Sequence, residues 1–326
     1  MTDISDANRS GFSIGSAMIG GAIWLAILVA ALFGAPAIGP IELLLMLGIL
    51  VFIPLAIDLL AVSDREGGNP LPYRIARLLQ PIAAVPACVS FFLPAGTPAG
   101  ILASAWLLLT GIIALFGMLR LIRGERRLEE LCINAALLYL PIGGVWLVAA
   151  RLGISLAGFG GVIALLTAVH FHFAGFIAPM LAGMTGRRLA AIGAPMKLLY
   201  RIAACGIIAG PPLVALGITF SGPLEVVAAV VLATSMTMHG FLVLVPVRRS
   251  LPGTRPAMFL GISATASVLA MLFAAQYAVG VFMQGPRLTI PQMALVHGSC
   301  NAIFALGGLL GWGFVRPRSV HIKRDA

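Results

Sequence analysis

The sequence predicts an all-α fold, a polytopic transmembrane bundle of about ten helices with both termini cytoplasmic, and three observations carry that reading. Of 326 residues, 60% are hydrophobic and only 10% charged, against roughly 25% charged in soluble domains. Ten apolar runs meet or approach the length of a membrane span, which is about 20 residues. Nineteen of the 21 Lys and Arg residues fall on one side of the resulting topology, and only Arg151 and Arg287 on the other. Cytoplasmic loops hold the basic excess, so the even number of helices puts both ends inside.

In chain order, residues 1–13 form a cytoplasmic tail whose Asp3, Asp6 and Arg9 differ from the cationic start of a secretory signal. The run at 14–34 is read as an uncleaved first span, although Ala35-Pro36-Ala37 has the small-residue character of a cleavage site. The second span, 41–62, keeps Glu42 and Asp58 near its two ends. The third, 78–94, is short and holds Pro81, Pro86 and Pro94, which predicts a kink or tilt. A fourth span covers 99–119; beyond it Glu125, Glu129 and Glu130 alternate with Arg123, Arg126 and Arg127, a pattern expected of a solvated loop. Asn134 and Tyr139 in the fifth span, 131–150, are expected to hydrogen-bond between helices.

The sixth span, 155–181, holds His170 and His172; the seventh, 198–220, holds Gly210-Pro211-Pro212, a candidate helix break. The eighth, 224–247, opens with Glu225, suited to a helix N-terminus, and holds His239. The ninth covers 257–282, and the tenth, 290–315, holds His297 and Asn301 before a cytoplasmic tail at 316–326. The bundle at 14–315 is thus the whole functional body, because no loop is long enough to fold alone.

Ionisable groups inside a membrane are costly and mark a functional site by default. Four of the five histidines lie in spans, and these spans all run from outside to inside. From the predicted bounds, His170, His172 and His239 sit near or slightly below the midplane and His297 somewhat above it, with Asn301 one turn deeper. At about 100° per residue, His170 and His172 face nearly opposite directions, so they do not readily chelate one ion together. His297 and Asn301, four residues apart, share a face. Neutral imidazole suits zinc, iron, copper and nickel, which makes His170, His172, His239 and His297 candidate metal ligands and the same four with Asn301 candidate catalytic residues. Met236, Met238 and Cys300 nearby make a soft copper site conceivable, while the bland alternative is interhelical hydrogen bonding.

Several classes lack support. The basic residues lie in short pieces between apolar runs, with no clustered groove for nucleic acid. Cys88, Cys132, Cys205 and Cys300 have no CxxC spacing, and no Walker loop or HExxH motif is present.

The stretch from Leu166 to Phe176, which reads LTAVHFHFAGF, resembles the YndJ-like family of bacterial integral membrane proteins. The likeness extends to Asn134-Ala135-Ala136, to the run from Leu140 to Trp146, and to His297-Gly298 with Asn301-Ala302; it is best from about residue 130 onward. It implies a multi-pass protein of the bacterial inner membrane, with His170, His172, His297, Asn301 and Asn134 as the positions carried over. Some relatives carry a further C-terminal region, whose function would not carry over. Locally, His170-Phe171-His172-Phe173 is also similar to the His-Phe-His-Tyr helix of haem-copper oxidases, where opposed histidines serve different haems. The adjacent His-His pair of that family is missing here.

The leading expectation is an intramembrane enzyme acting on a lipophilic substrate, an isoprenoid or lipid, with the histidines binding a transition metal or acting as acid and base. Its rival is a proton-coupled secondary transporter using the same histidines. A third reading is an accessory membrane protein in which they serve stability alone.

Overall fold

The computed structural model describes residues 3–34, 38–60 and 70–315, with side chains from Phe12 onward. The C-terminal tail 316–326 with His321, Arg65 in the second loop, and Ala35-Pro36-Ala37 lie outside the described residues. Ten helices among the described residues are long and apolar enough to span a membrane. They are α1 Phe12–Leu32, α2 Pro40–Leu59, α3 Leu71–Phe92, α4 Thr97–Ile122, α5 Leu128–Leu152, α6 Gly161–Ala191, α7 Lys197–Phe220, α8 Gly222–Val247, α9 Thr254–Phe282 and α10 Ile290–Val315. In lipid every backbone group must be paired within the structure, so apolar runs of this length fold as helices.

Two boundaries move from their predicted places. The third helix begins at Leu71 rather than near residue 78, with Arg74 and Arg77 in its first turns. The sixth begins only at Gly161, after a tight turn closed by Leu156 and Phe159, and continues to Ala191. It absorbs Arg187 and Arg188 because both are paired there: Arg187 with Glu130 of α5, Arg188 with Ser250 beyond α8.

Proline explains most of the irregular backbone. In α2 the Ile53 N–H reaches back five residues to the Gly48 carbonyl, and Pro54 has no N–H to offer. The Ile49 carbonyl is left over. Gln80 of α3 supplies the missing donor through Nε2, 2.9 Å away. The same wide, π-type turn recurs in α6 at Phe173–Ile177, ahead of Pro179, and in α8 at Val243–Val247, around Pro246. A fourth, at Ala294–Gly298 in α10, contains no proline but does contain His297.

By contrast, Gly210-Pro211-Pro212 does not break α7, which is helical throughout Lys197–Phe220. Pro212 leaves the Ile208 carbonyl without its usual partner, and the Tyr139 hydroxyl of α5 donates to that oxygen at 2.9 Å. Tyr139 thereby makes the interhelical bond expected of it and repairs the neighbouring helix at the same time.

The alternating charges around residues 120–130 are not the solvated loop that their pattern suggests. Arg120 is only 4% exposed and donates to Asn134 Oδ1 at 2.8 Å and to Glu130 Oε2 at 2.6 Å. Glu130 also receives a two-pronged contact from Arg187, at 2.7 and 2.6 Å, and Glu125 pairs with Arg120 at 2.5 Å. This network fastens α4, α5 and α6 together at one end of the bundle. A planar guanidinium held by two carboxylates and an amide is the geometry in which a buried charge is compensated.

Helix α6 is the hub. Its outer half, Gly161–His172, packs on α5 and on Pro40–Leu47 of α2. From Phe173 inward it meets α5, α7, α8 and α10. Every residue from Gly175 to Gly186 is accordingly buried, all round the helix.

Candidate functional site

The placement of α6 changes the depths of the histidines. With the helix running from Gly161 to Ala191, His170 lies about 9 Å on the outer side of its midpoint, taking 1.5 Å per residue. His297 lies a similar distance outward in α10, whereas His239 lies about 7 Å inward of the midpoint of α8. The expected single layer therefore divides into an outer group, His170, His172 and His297, and an inner residue, His239.

His172 is sealed. Its Nε2 accepts the indole N–H of Trp106 in α4 at 2.8 Å, and its Nδ1 bonds the Ala168 carbonyl at 2.8 Å. The two rings also stack, with centroids 6.1 Å apart. Indole is a donor only, so Nε2 is the unprotonated nitrogen and Nδ1 carries the hydrogen. Gly143 of α5 permits this close packing, since a Cβ there would come within 2.7 Å of Nδ1. Both ring nitrogens are committed, so His172 has none left for a metal, a haem or a substrate proton.

His170 points the other way, as the two-residue spacing requires. Nδ1 bonds the Leu166 carbonyl at 2.7 Å, and Nε2 is free. The His170 side chain is exposed, whereas that of His172, two residues on, is buried. His297 of α10 lies within electrostatic reach of His170. His297 bonds the Ala270 carbonyl of α9 through Nδ1 at 2.9 Å, and its Nε2 lies 3.0 Å from Asn301 Nδ2. The Asn301 amide also donates to the His297 carbonyl at 3.0 Å, steadying the irregular turn.

His239 belongs to a different neighbourhood. Its Nε2 meets Thr185 Oγ1 of α6 at 3.0 Å, and its ring lies edge-on to Phe304 of α10. The four histidines do not form one ligand set: among the described residues no three His, Cys, Asp or Glu side chains are grouped to hold a metal ion. The structure unites His170, His297 and Asn301, and separates them from His172 and His239.

The YndJ-like protein family matches residues 43–305 of this chain. The chain belongs to the YndJ-like family. The match takes in all five candidate residues and reaches back into α2, further than the resemblance around His170 and His172 suggests. A relative in Bacillus subtilis (strain 168), described as an uncharacterized membrane protein YndJ, is 33% identical over 287 residues. That alignment covers 85% of this chain and 49% of the relative, so the chain spans about half the length of the curated relative it matches. No solved structure matches it. Membership of this family and the ten apolar helices make it an integral membrane protein.

Sequence reasoning missed the partners that decide what each histidine does. Trp106 and Thr185 carry no motif, and nothing local to them announces a histidine on another helix. Pro54, Pro179 and Pro246 were legible signals for irregular turns, each lying well inside an apolar run.

Proposed function

We propose that this protein is a secondary carrier of the bacterial inner membrane that binds a small lipophilic solute in its outer half, with His170, His297 and Asn301 as the polar contacts. The observation that carries this reading is the contrast along α6. Its outer half presents an exposed histidine with an unbonded imidazole nitrogen; its inner half is enclosed from Gly175 to Gly186 and tied by Arg187 and Arg188 to groups on both flanks. A site accessible from one face and closed to the other is the arrangement that alternating access requires, and irregular turns in four of the even-numbered helices supply positions for bending.

One observation favours the enzyme reading instead: the unbonded Nε2 of His170 is a ready general acid or base for a substrate arriving through the outer leaflet. In this version the chemistry needs no metal, because the histidines are not grouped as ligands.

One assay separates the two. Proteoliposomes loaded with a lipid-soluble extract of the native host would be analysed by mass spectrometry with and without a pH gradient, beside a His170→Ala control. Gradient-dependent redistribution of an unaltered solute, lost in His170→Ala, is the carrier outcome. Conversion of a compound to one of different mass, with no redistribution, would replace the carrier by the enzyme.

A further inference from the structure

The inner histidine carries a feature that the outer site does not use. His239 is 3% exposed, and its Nδ1 is buried without a hydrogen bond of acceptable geometry, although the Leu181 carbonyl is close enough to interact with the ring. A second such atom lies on α9. Ser267 of α9 is wholly buried and its hydroxyl also lacks a partner.

Helix geometry places the two groups in one junction. Gly240 abuts Ala264 and Val268, which sets the level at which α8 meets α9. One turn inward of Ser267, Ser263 donates to the Phe304 carbonyl and so fixes the α10-facing side of α9. Ser267 lies between these two directions, at the level of Gly240 and its neighbour His239. The His239 ring in turn rests against Phe304. Both unpartnered atoms therefore belong to the meeting of α8, α9 and α10, with Thr185 of α6 closing the fourth side.

Two buried polar atoms left unsatisfied each carry the full cost of desolvation, and a water molecule with two or more polar partners is the usual remedy. We propose that the His239 Nδ1 and the Ser267 hydroxyl hold one water molecule, and that this water makes His239 a proton-carrying residue of the protein.

The chemistry distinguishes His239 from His172. Among the described residues the only partner of His172 Nε2 is an indole N–H, which cannot accept, so protonation there would set two donors against each other. The Thr185 hydroxyl can accept from His239 Nε2–H whether the ring is neutral or charged. A hydronium at the water position transfers its proton to the Nδ1 lone pair, forming an N–H bond and leaving water behind; release reverses the step. The ring meets Thr185 and Leu181 of α6 and Phe304 of α10, all uncharged. Arg187 and Arg188, further along α6, are engaged with Glu130 and Ser250. From α7, Gly206 meets Ser235 of α8, a contact without charge. Proton coupling at this residue rests on the carrier reading, whereas the water site does not.

Magic-angle-spinning NMR of the full chain, 15N-labelled at histidine and embedded in lipid, tests the proposal without a substrate. His239→Asn assigns the resonance, and His172 serves as an internal dry control. Water-to-ring magnetisation transfer is expected at His239 and is removed in Ser267→Ala. On lowering the pH from about 8 to about 3, a window that extends well below histidine's ordinary range, Nδ1 changes from an unprotonated to a protonated resonance. Absence of transfer at His239 overturns the water site, and transfer to a ring that stays neutral at both pH values overturns proton uptake. An unchanged His172 signal in Ser267→Ala certifies that the variant is folded. A titrating, hydrated His239 in a protein that redistributes no solute refutes the carrier alone; solute movement with a dry His239 refutes this site alone.

Discussion

His170 and His172 stand two residues apart on one helix and live in opposite regions of the molecule. The α4 and α5 face of α6 seals His172 behind Trp106 and Gly143, with every polar atom of the ring bonded. On the opposite side His170 is exposed, with one nitrogen free of any partner among the described residues. The same side chain is a packing element in the first setting and a chemical group in the second. What separates them is which neighbouring helix comes close, not the residue type or its depth.

That contrast can be broken at several points. The largest effect is expected at the enclosed end of α6, where Glu130→Ala removes the carboxylate shared by Arg120 and Arg187. Breaking such a buried pair costs about 3–5 kcal/mol, which thermal melting in detergent should record as a large loss of stability. Next comes Gly143→Ala, whose methyl group would press on His172; overpacking of this kind costs about 1–3 kcal/mol. The His172 ring resonance should move in that variant, and an unmoved ring with unchanged melting would show that α5 does not confine it.

Trp106→Phe keeps an aromatic ring but withdraws the donor from His172 Nε2, for an expected loss of about 1–3 kcal/mol. If the variant melts with the wild type, the indole bond does not hold His172. The smallest stability change belongs to the open side. His170→Ala should stay within about 0.5 kcal/mol of wild type, as for substitutions away from buried networks, while abolishing solute movement or conversion in proteoliposomes. A large stability loss there would make His170 another packing histidine and remove the contrast altogether.

The number of helices was legible because apolar length is a one-dimensional property. Helix bounds were less so: α6 was placed too far toward the N-terminus because Arg187 and Arg188 looked like loop residues. Arginines whose charges are met by Glu130 and Ser250 can remain helical, and no window over the local sequence includes those partners. The error propagated to the histidines, moving His170 and His172 from the apparent midplane into the outer half. The prolines misled in both directions. Gly210-Pro211-Pro212 looked like a break and is bridged by Tyr139, whereas Pro54, Pro179 and Pro246 were passed over and accompany irregular turns.

For the candidate site, the pairing of His297 with Asn301 and the opposed directions of His170 and His172 follow from helical periodicity and needed no structure. The uses of the histidines did not follow. Whether an imidazole is saturated depends on atoms contributed by helices distant in sequence, 66 residues away for Trp106 and 54 for Thr185. By itself, the sequence determined that this chain spans a membrane ten times and places four histidines within it, since hydropathy and periodicity are written residue by residue. The tertiary structure alone decided that His172 is sealed, that His170 faces His297 and Asn301, and that His239 stands apart, because hydrogen bonds are satisfied between helices and not along them.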